Sequence, residues 1–190
     1  MSKKIVLLTL TLIFPVLIYM FLQGFGDNKF AIPKYYQNGI DTTLVSCGEL
    51  SQPFAWKAQS LNSNSSEEKD IVIYDAFGLT TEGSVDARNN LLSFLNKYKD
   101  ELNVHMISVN PDSLKFKALT GFSNVNPVYV DEGSQRAFAY CNLVINNLDS
   151  SLLVLVDKER NIRGYFSPEK IKEIDRLNTE VLILLEEGDE

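Results

Sequence analysis

The chain begins with a long run of apolar residues. Residues 5–22 are 18 uncharged, mostly apolar positions, and a helix of that length spans roughly 27 Å, close to the hydrocarbon thickness of a bilayer. Lys3 and Lys4 precede the run, so the positive-inside rule predicts that this end stays in the cytoplasm. No A-x-A cleavage pattern or nearby cysteine follows, which favours a retained anchor over a cleaved signal peptide. We therefore predict a membrane anchor over residues 1–23.

The pattern after the anchor predicts two further regions. Residues 24–50 contain four glycines and one proline without sustained periodicity, which is typical of an extended tether that then packs onto a domain. Residues 51–190 are predicted to form that domain, outside the cytoplasm. Its first part holds an edge strand near 53–58 and, at 61–69, an almost wholly polar exposed loop.

From residue 70 onward, short apolar runs alternate with amphipathic stretches. The runs are rich in β-branched and aromatic residues, and they predict strands at 70–77, 103–110, 126–131, 151–157 and 162–166. Helices are predicted at 84–102, 113–119 and 133–140, and from Ser167 onward, with Ser84 and Ser167 as N-caps and Pro168 at the first helical position. The apolar stripes of the two long helices are Leu91, Leu95, Tyr98 and Leu102, and then Ile171, Ile174, Leu177, Val181 and Leu184.

This order of elements defines the fold class. A β-α-β unit is followed by helical material, a hairpin with a tight turn at 158–161, and a final helix. A doubly wound sheet would not end in a tight hairpin. We predict an α/β protein of the thioredoxin-like fold, a central mixed sheet flanked by helices, with an N-terminal transmembrane helix.

The charge of the chain excludes one class of partner. There are 18 basic and 25 acidic residues, and without Lys3 and Lys4 the count is 16 against 25. Nucleic-acid binding requires clustered Lys and Arg, so we expect no nucleic-acid partner. Anionic lipid would repel such a domain, so the N-terminal helix is expected to be its contact with the membrane.

The late hairpin carries a family resemblance. Residues 150–166, SSLLVLVDKERNIRGYF, resemble the corresponding hairpin of the Sco/SenC family, membrane-anchored thioredoxin-fold proteins linked to copper delivery and cytochrome c oxidase assembly. Residues 105–111 are similar to that family's strand ending in S-x-D-P, and residues 128–140 and the terminal helix fall in the same order. The resemblance extends from about residue 50 to 187. It implies a periplasmic domain with a protein partner, a respiratory complex.

The copper site that this resemblance implies has lost its ligands. The family binds copper through two cysteines spaced C-x-x-x-C and a histidine, and by position Thr81, Val85 and Asp149 stand in their places. A hydroxyl, an isopropyl group and a carboxylate do not replace two thiolates and an imidazole, nor do they supply an attacking and a resolving thiol. We therefore expect no metal site, no cofactor and no catalytic residue, and a non-enzymatic interaction or scaffold module. The alternative is a copper-binding chaperone or thiol redox protein with a site rebuilt from Cys141, Asp149 or His105.

The two cysteines and the single histidine leave further alternatives. Cys47 and Cys141 are 94 residues apart, too far for a local metal or redox motif. They form either a structural disulfide, which an oxidising compartment and the even count favour, or two separate buried thiols. His105 is expected to be a partly buried strand residue with one hydrogen bond, on the face of Ile107 and Val109.

An aromatic group precedes the first central strand. Its members, Tyr35, Tyr36, Phe54 and Trp56, are candidates for an exposed docking patch. Core packing explains Phe54 and Trp56 more simply.

Overall fold

The computed structural model describes residues 3–25, 32–37, 70–76, 84–110, 122–145 and 152–187. These fall into two units, Met1–Ala31 and Ile32–Glu190. The first unit holds helix α1, Lys3–Phe25, with Pro15 inside it, and its described side chains from residue 11 to 21 are exposed. Across the described ranges, no helix combines the length and the apolar character needed to cross a membrane.

The second unit is built on a mixed sheet. Its described strands are β1 (Ile71–Asp75), β2 (Val104–Asn110), β3 (Val125–Tyr129), β4 (Leu153–Val156) and β5 (Ile162–Phe166). They lie in the order β3-β2-β1-β4-β5. The first three run parallel, whereas β4 is antiparallel to β1 and β5 to β4. This arrangement confirms the predicted mixed sheet and its closing hairpin.

Helices cover both faces of the sheet, as predicted. The other helices are α2 (Val85–Lys97), α3 (Glu132–Ala137), which continues as a π-helical turn at Phe138–Asn142, and α4 (Ile171–Glu187). One apolar cluster packs Ile73 against the stripes of α2 and α4. The other packs Tyr74 against Phe138. Every residue of β1 is buried, because both faces of this central strand are covered.

Helix α2 ends five residues earlier than the pattern predicts. Ser84 caps its start as expected, accepting a hydrogen bond from the Ala87 amide. At its other end the carbonyl of Tyr98 accepts hydrogen bonds from the Glu101 amide and from Asn124 Nδ2, so the chain turns there. Leu102 is 83% exposed, and its assignment to the buried stripe was wrong.

Helix α4 begins at Ile171, so Ser167 and Pro168 are not its cap and first residue. The Lys170 amide donates to the carbonyl of Ser167, which closes a separate turn. Asn90 on α2 donates to the carbonyl of Pro168 and fixes that turn against α2. Ile171 is therefore exposed, whereas the other four stripe residues, Ile174, Leu177, Val181 and Leu184, are buried as predicted.

Other boundaries move by a few residues. Helix α3 starts at Glu132, because Asp131 caps it by accepting a hydrogen bond from the Ser134 amide. Strand β3 is the edge strand beside β2 in the described sheet, and Pro127 fits an edge because proline cannot donate a ladder hydrogen bond. The predicted strand at 53–58, loop at 61–69 and helix at 113–119 lie outside the described residues.

Strand β5 and helix α4 approach closely at Gly164. A Cβ atom there would lie 2.7 Å from Phe166 Cζ and 3.3 Å from Glu180 Oε2. We expect Gly164→Ala to lower the free energy of unfolding by about 1–3 kcal/mol, because the Phe166 ring must move in a packed core. Urea denaturation of residues 24–190 measures this loss. Gly133→Ala is the control with a smaller expected effect, since its Cβ would meet only the Asp131 carboxylate, and equal losses would contradict the steric explanation.

Candidate functional site

The carboxyl end of β1 lies next to the loop in which the family resemblance places a copper site. Asp75 is the last residue of β1 and is buried, as is Ser108 beside it on β2. Ser108 Oγ donates a 2.7 Å hydrogen bond to Asp75 Oδ2. The described side chains here are therefore a carboxylate and a hydroxyl. Sequence reasoning missed this pair, although an acidic residue at the end of an apolar run was a signal for it.

Of the three positions that the sequence predicts to replace the family's copper ligands, the structure describes one, Val85. Val85 is the first residue of α2 and is 74% exposed, and its isopropyl group has no atom that can donate electrons to a metal. Thr81 and Asp149 lie outside the described residues. A donor set of one hydroxyl and one carboxylate does not suit copper, which prefers thiolate and imidazole ligands. Within the described ranges, no cluster of three or more His, Cys, Asp and Glu side chains is arranged to hold a metal ion.

Cys141 is not available as a thiol. It lies in the π-helical turn, partly buried against the cluster that contains Phe138, and it is disulfide-bonded. The described part of the chain has no free cysteine. Cys47 lies outside the described residues. Val144, three residues after Cys141, has a φ of 54°, which is a strained conformation for a β-branched residue.

His105 has an acidic neighbour that the sequence did not reveal. Its Nε2 lies 3.1 Å from Asp70 Oδ2, just before β1, and its Nδ1 is buried without a hydrogen-bond partner. Side chains alternate along β2, so His105 is on the same face as Ile107 and Val109, as predicted. The register places His105 opposite Val72, three residues before the Asp75–Ser108 pair, which is about 10 Å along the strands. The structure therefore shows a partly buried strand histidine, separate from the carboxyl end of β1.

The hairpin of β4 and β5, which carries the family resemblance, is stabilised by polar contacts at its turn. Asp157 Oδ1 accepts hydrogen bonds from the amides of Glu159 and Asn161, and Arg160 turns the chain with a φ of 68°. Arg163 Nη1 donates to Asp157 Oδ2 at 2.8 Å, with the two residues 4% and 5% exposed. Asp157 therefore connects the turn to Arg163 on β5.

Residues 32–37, which we call the strap, pack along β5 although they belong to the predicted tether. Ile32 is buried, and its carbonyl accepts a 2.9 Å hydrogen bond from Arg163 Nη2. The Tyr35 amide donates to the carbonyl of Ile162 at 2.9 Å. Lys34 forms an exposed ion pair with Glu159. The strap is therefore part of the compact unit that begins at Ile32.

Tyr165 joins the strap to the turn that carries Cys141. Its hydroxyl donates to the carbonyl of Leu143 at 2.8 Å and lies 3.4 Å from the hydroxyl of Tyr36. The ring of Tyr35 packs edge-on against the ring of Tyr165, with 5.8 Å between the ring centroids. Burial raises the pKa of Tyr165, so this hydroxyl stays protonated at neutral pH. Phe54 and Trp56, the other members of the aromatic group, lie outside the described residues.

Glu180 on α4 is a second group whose ionisation is shifted. Burial raises its pKa; one oxygen lies 3.5 Å from Arg176 Nε, and Oε2 is buried without a hydrogen-bond partner. The folded state then binds this proton more tightly than the unfolded state does. Stability from the protonated form is present below the unfolded pKa, about 4.3, and is lost as the pH rises through the higher folded pKa.

We therefore expect Glu180→Gln to stabilise the domain at neutral pH by about 1 kcal/mol, because no charged acceptor is then left buried and unsatisfied. The difference from the unchanged protein should shrink as the pH falls towards 4. Urea denaturation between pH 4 and 8 measures both effects. Glu173→Gln, which changes a carboxylate also paired with Arg176, is the matched control, and an unchanged pH profile for Glu180→Gln would contradict the assignment.

Comparison with known proteins found similar solved structures at low sequence identity. No protein-family model and no curated protein matches the sequence. BsSco, described as a member of the Sco family of cytochrome c oxidase assembly proteins, is 14% identical with a TM-score of 0.49, over 61% of this chain and 80% of its own. A SCO1/SenC family lipoprotein from Bacillus anthracis is 17% identical with a TM-score of 0.49, over 62% and 83%. A putative protein disulfide isomerase from Bacteroides thetaiotaomicron is 20% identical with a TM-score of 0.48, over 65% and 79%.

The chain thus resembles Sco/SenC structures, and it does so at low identity. The similar structures also include proteins described as thiol-disulfide oxidoreductases.

Proposed function

We propose that the chain is a non-catalytic, Sco/SenC-like interaction or scaffold module held at the outer face of a membrane. The disulfide-bonded state of Cys141 carries this proposal. The sequence has only one other cysteine, Cys47, and we propose that it is the bonded partner. A bonded pair has no thiolate with which to bind copper or to attack another disulfide.

The proposed organisation is an anchor at 1–23, a tether at 24–50 and a domain at 51–190. Helix α1 has 23 residues, which corresponds to about 34 Å. Its described apolar side chains, such as Leu17 and Phe21, are exposed, and two lysines stand at its start. An extracytoplasmic position also provides the oxidising compartment in which a disulfide persists.

The proposed partner is a protein of a respiratory complex, in the assembly of cytochrome c oxidase. This link depends on the resemblance of residues 150–166 to the Sco/SenC hairpin, which is an argument by analogy. Val85 and the bonded Cys141 supply no metal ligand or nucleophile, which supports the proposal that the contribution is made by binding.

Copper content tests the missing site directly. Purified residues 24–190 are incubated with Cu(I) and Cu(II) separately, and bound metal and free thiols are counted by mass spectrometry. We expect no stoichiometric copper and no free thiol before reduction, with two thiols after it. Stoichiometric copper would overturn the proposal, and substitutions of Cys141, Asp149 and His105 in turn would then locate a rebuilt site.

Extraction of membranes with alkaline carbonate tests the anchor. We expect the full chain to remain in the membrane pellet and residues 24–190 to be released. A full chain released by carbonate would overturn the anchor without bearing on the copper result.

A further inference from the structure

Among the described residues, those that contact the outer edge of β5 belong to the strap and to helix α4. The carbonyl of Ile162 accepts a hydrogen bond from the Tyr35 amide of the strap. Farther along, the carbonyl of Tyr165 accepts one from Arg176 Nη2. Backbone carbonyls at the edge of a sheet are acceptors with which another extended segment can pair. The strap therefore occupies a position that an added strand could take.

Some contacts of the strap are modest or strained, whereas its first residue, Ile32, is buried. The ion pair between Lys34 and Glu159 has exposed side chains, 34% and 70%, and such pairs contribute about 0–1 kcal/mol. Tyr35 is 42% exposed. Tyr36 has a φ of 57°, and this left-handed conformation costs an L-residue roughly 1–2 kcal/mol. A segment that makes the same contacts without a left-handed residue can therefore compete with the strap.

The side chain that binds the strap is also fixed by a contact outside the strap. The guanidinium of Arg163 is fixed by Asp157 at 2.8 Å while its Nη2 donates to the carbonyl of Ile32. Asp157 itself is fixed by the hairpin amides. The donor for an incoming carbonyl thus keeps its position when the strap leaves, and a preorganised donor lowers the cost of binding.

We propose that the outer edge of β5 binds an extended segment of a partner protein and that the strap is its built-in occupant. The strap defines the pattern this edge recognises: an apolar residue whose carbonyl meets Arg163, a basic residue two positions later for Glu159, and then an aromatic residue. The aromatic residue donates its amide to Ile162 and packs its ring on Tyr165. This is strand addition to a sheet edge, with side-chain contacts that give specificity. The proposal rests on the proposed function in that it supplies the binding surface of the interaction module.

A peptide of residues 30–38 tests the proposal on the full chain in detergent. In one variant, Lys34→Ala and Tyr35→Pro together remove the ion pair and the amide donor of the strap. We expect the fluorescent peptide to bind this variant at least about tenfold more tightly than it binds the unchanged chain, whose strap blocks the edge. The same peptide carrying Tyr35→Pro is the control, and it should bind neither the variant nor the unchanged chain.

A charge exchange separates recognition from a general loosening of the fold. Adding Glu159→Lys to the strap variant should weaken binding of the original peptide severalfold, and a peptide carrying Lys34→Glu should recover it. Equal binding to the variant and the unchanged chain, or no dependence on the charge exchange, would overturn the proposal. Circular dichroism checks that each variant is folded.

Hydrogen exchange on the unchanged chain provides a test without substitutions. We expect the Tyr35 amide to exchange through local opening, much faster than the amides of β1, because the strap must open for a partner to enter. Exchange of Tyr35 only with global unfolding would overturn the proposal. Copper binding in the earlier assay would overturn the proposed function but would leave these peptide results unchanged.

Discussion

Replacing Asp157 with alanine is expected to lower the free energy of unfolding by about 3–5 kcal/mol. The change leaves the guanidinium of Arg163, which is 4% exposed, without the carboxylate that lies 2.8 Å from it. Glu187 lies 3.6 Å from the same guanidinium but is itself half exposed, so it compensates only in part. The hairpin turn also loses the acceptor for two of its amides. Urea denaturation of residues 24–190 measures the loss.

Three matched variants divide this effect into its causes. Glu159→Ala changes an exposed carboxylate in the same turn and should cost less than about 1 kcal/mol. Asp157→Asn keeps an oxygen for the turn amides and should fall between the two. Arg163→Met combined with Asp157→Ala should recover part of the loss, because no unpaired charge is then buried. A loss below about 1 kcal/mol for Asp157→Ala would show that the ion pair does not hold the hairpin.

The elements that the sequence predicted best are those whose own residues determine their burial. Strand β1 is a continuous apolar run and is buried along its whole length, and β5 has the predicted bounds, Ile162–Phe166. Ser84 caps α2 through a contact only three residues away. The interaction that sets the position or burial of each element is local, or depends only on whether one or both faces of the sheet are covered.

The predictions that were wrong depend on residues distant in sequence. Helix α2 stops at Lys97 because Asn124 donates to the carbonyl of Tyr98. The start of α4 is displaced because Asn90, 78 residues away, holds Pro168 in a separate turn. Neither contact leaves a periodic signal, so the apolar stripes were extended to Leu102 and Ile171.

The candidate site also contains features that depend on local sequence and features that depend on distant residues. Of the three positions predicted to replace copper ligands, the structure describes Val85 and places it on the exposed start of α2. The strap could not be predicted, because its glycine- and proline-containing surroundings indicate only a tether. The strap packs against β5 through Arg163, whose hydrogen bond to the carbonyl of Ile32 joins residues 131 positions apart.

Breaking the disulfide of Cys141 is expected to lower the free energy of unfolding by about 4 kcal/mol in the chain-entropy model. The proposed partner, Cys47, is 94 residues away, so the bond closes a long loop and removes many conformations from the unfolded state. Urea denaturation of residues 24–190 with and without a dithiol reductant measures this difference. The unfolding midpoint should fall on reduction.

Serine substitutions identify the partner by a thermodynamic cycle. If Cys47 and Cys141 share one bond, either single substitution removes all of it, so each should cost as much as the double substitution. The reductant should then have no effect on any of the three variants. Two separate buried thiols predict the opposite result: the single effects add, and reduction changes nothing even in the unchanged protein. Equal single and double losses would establish that Cys47 and Cys141 share one bond, which leaves neither sulfur as a thiolate that could bind a metal or attack another disulfide.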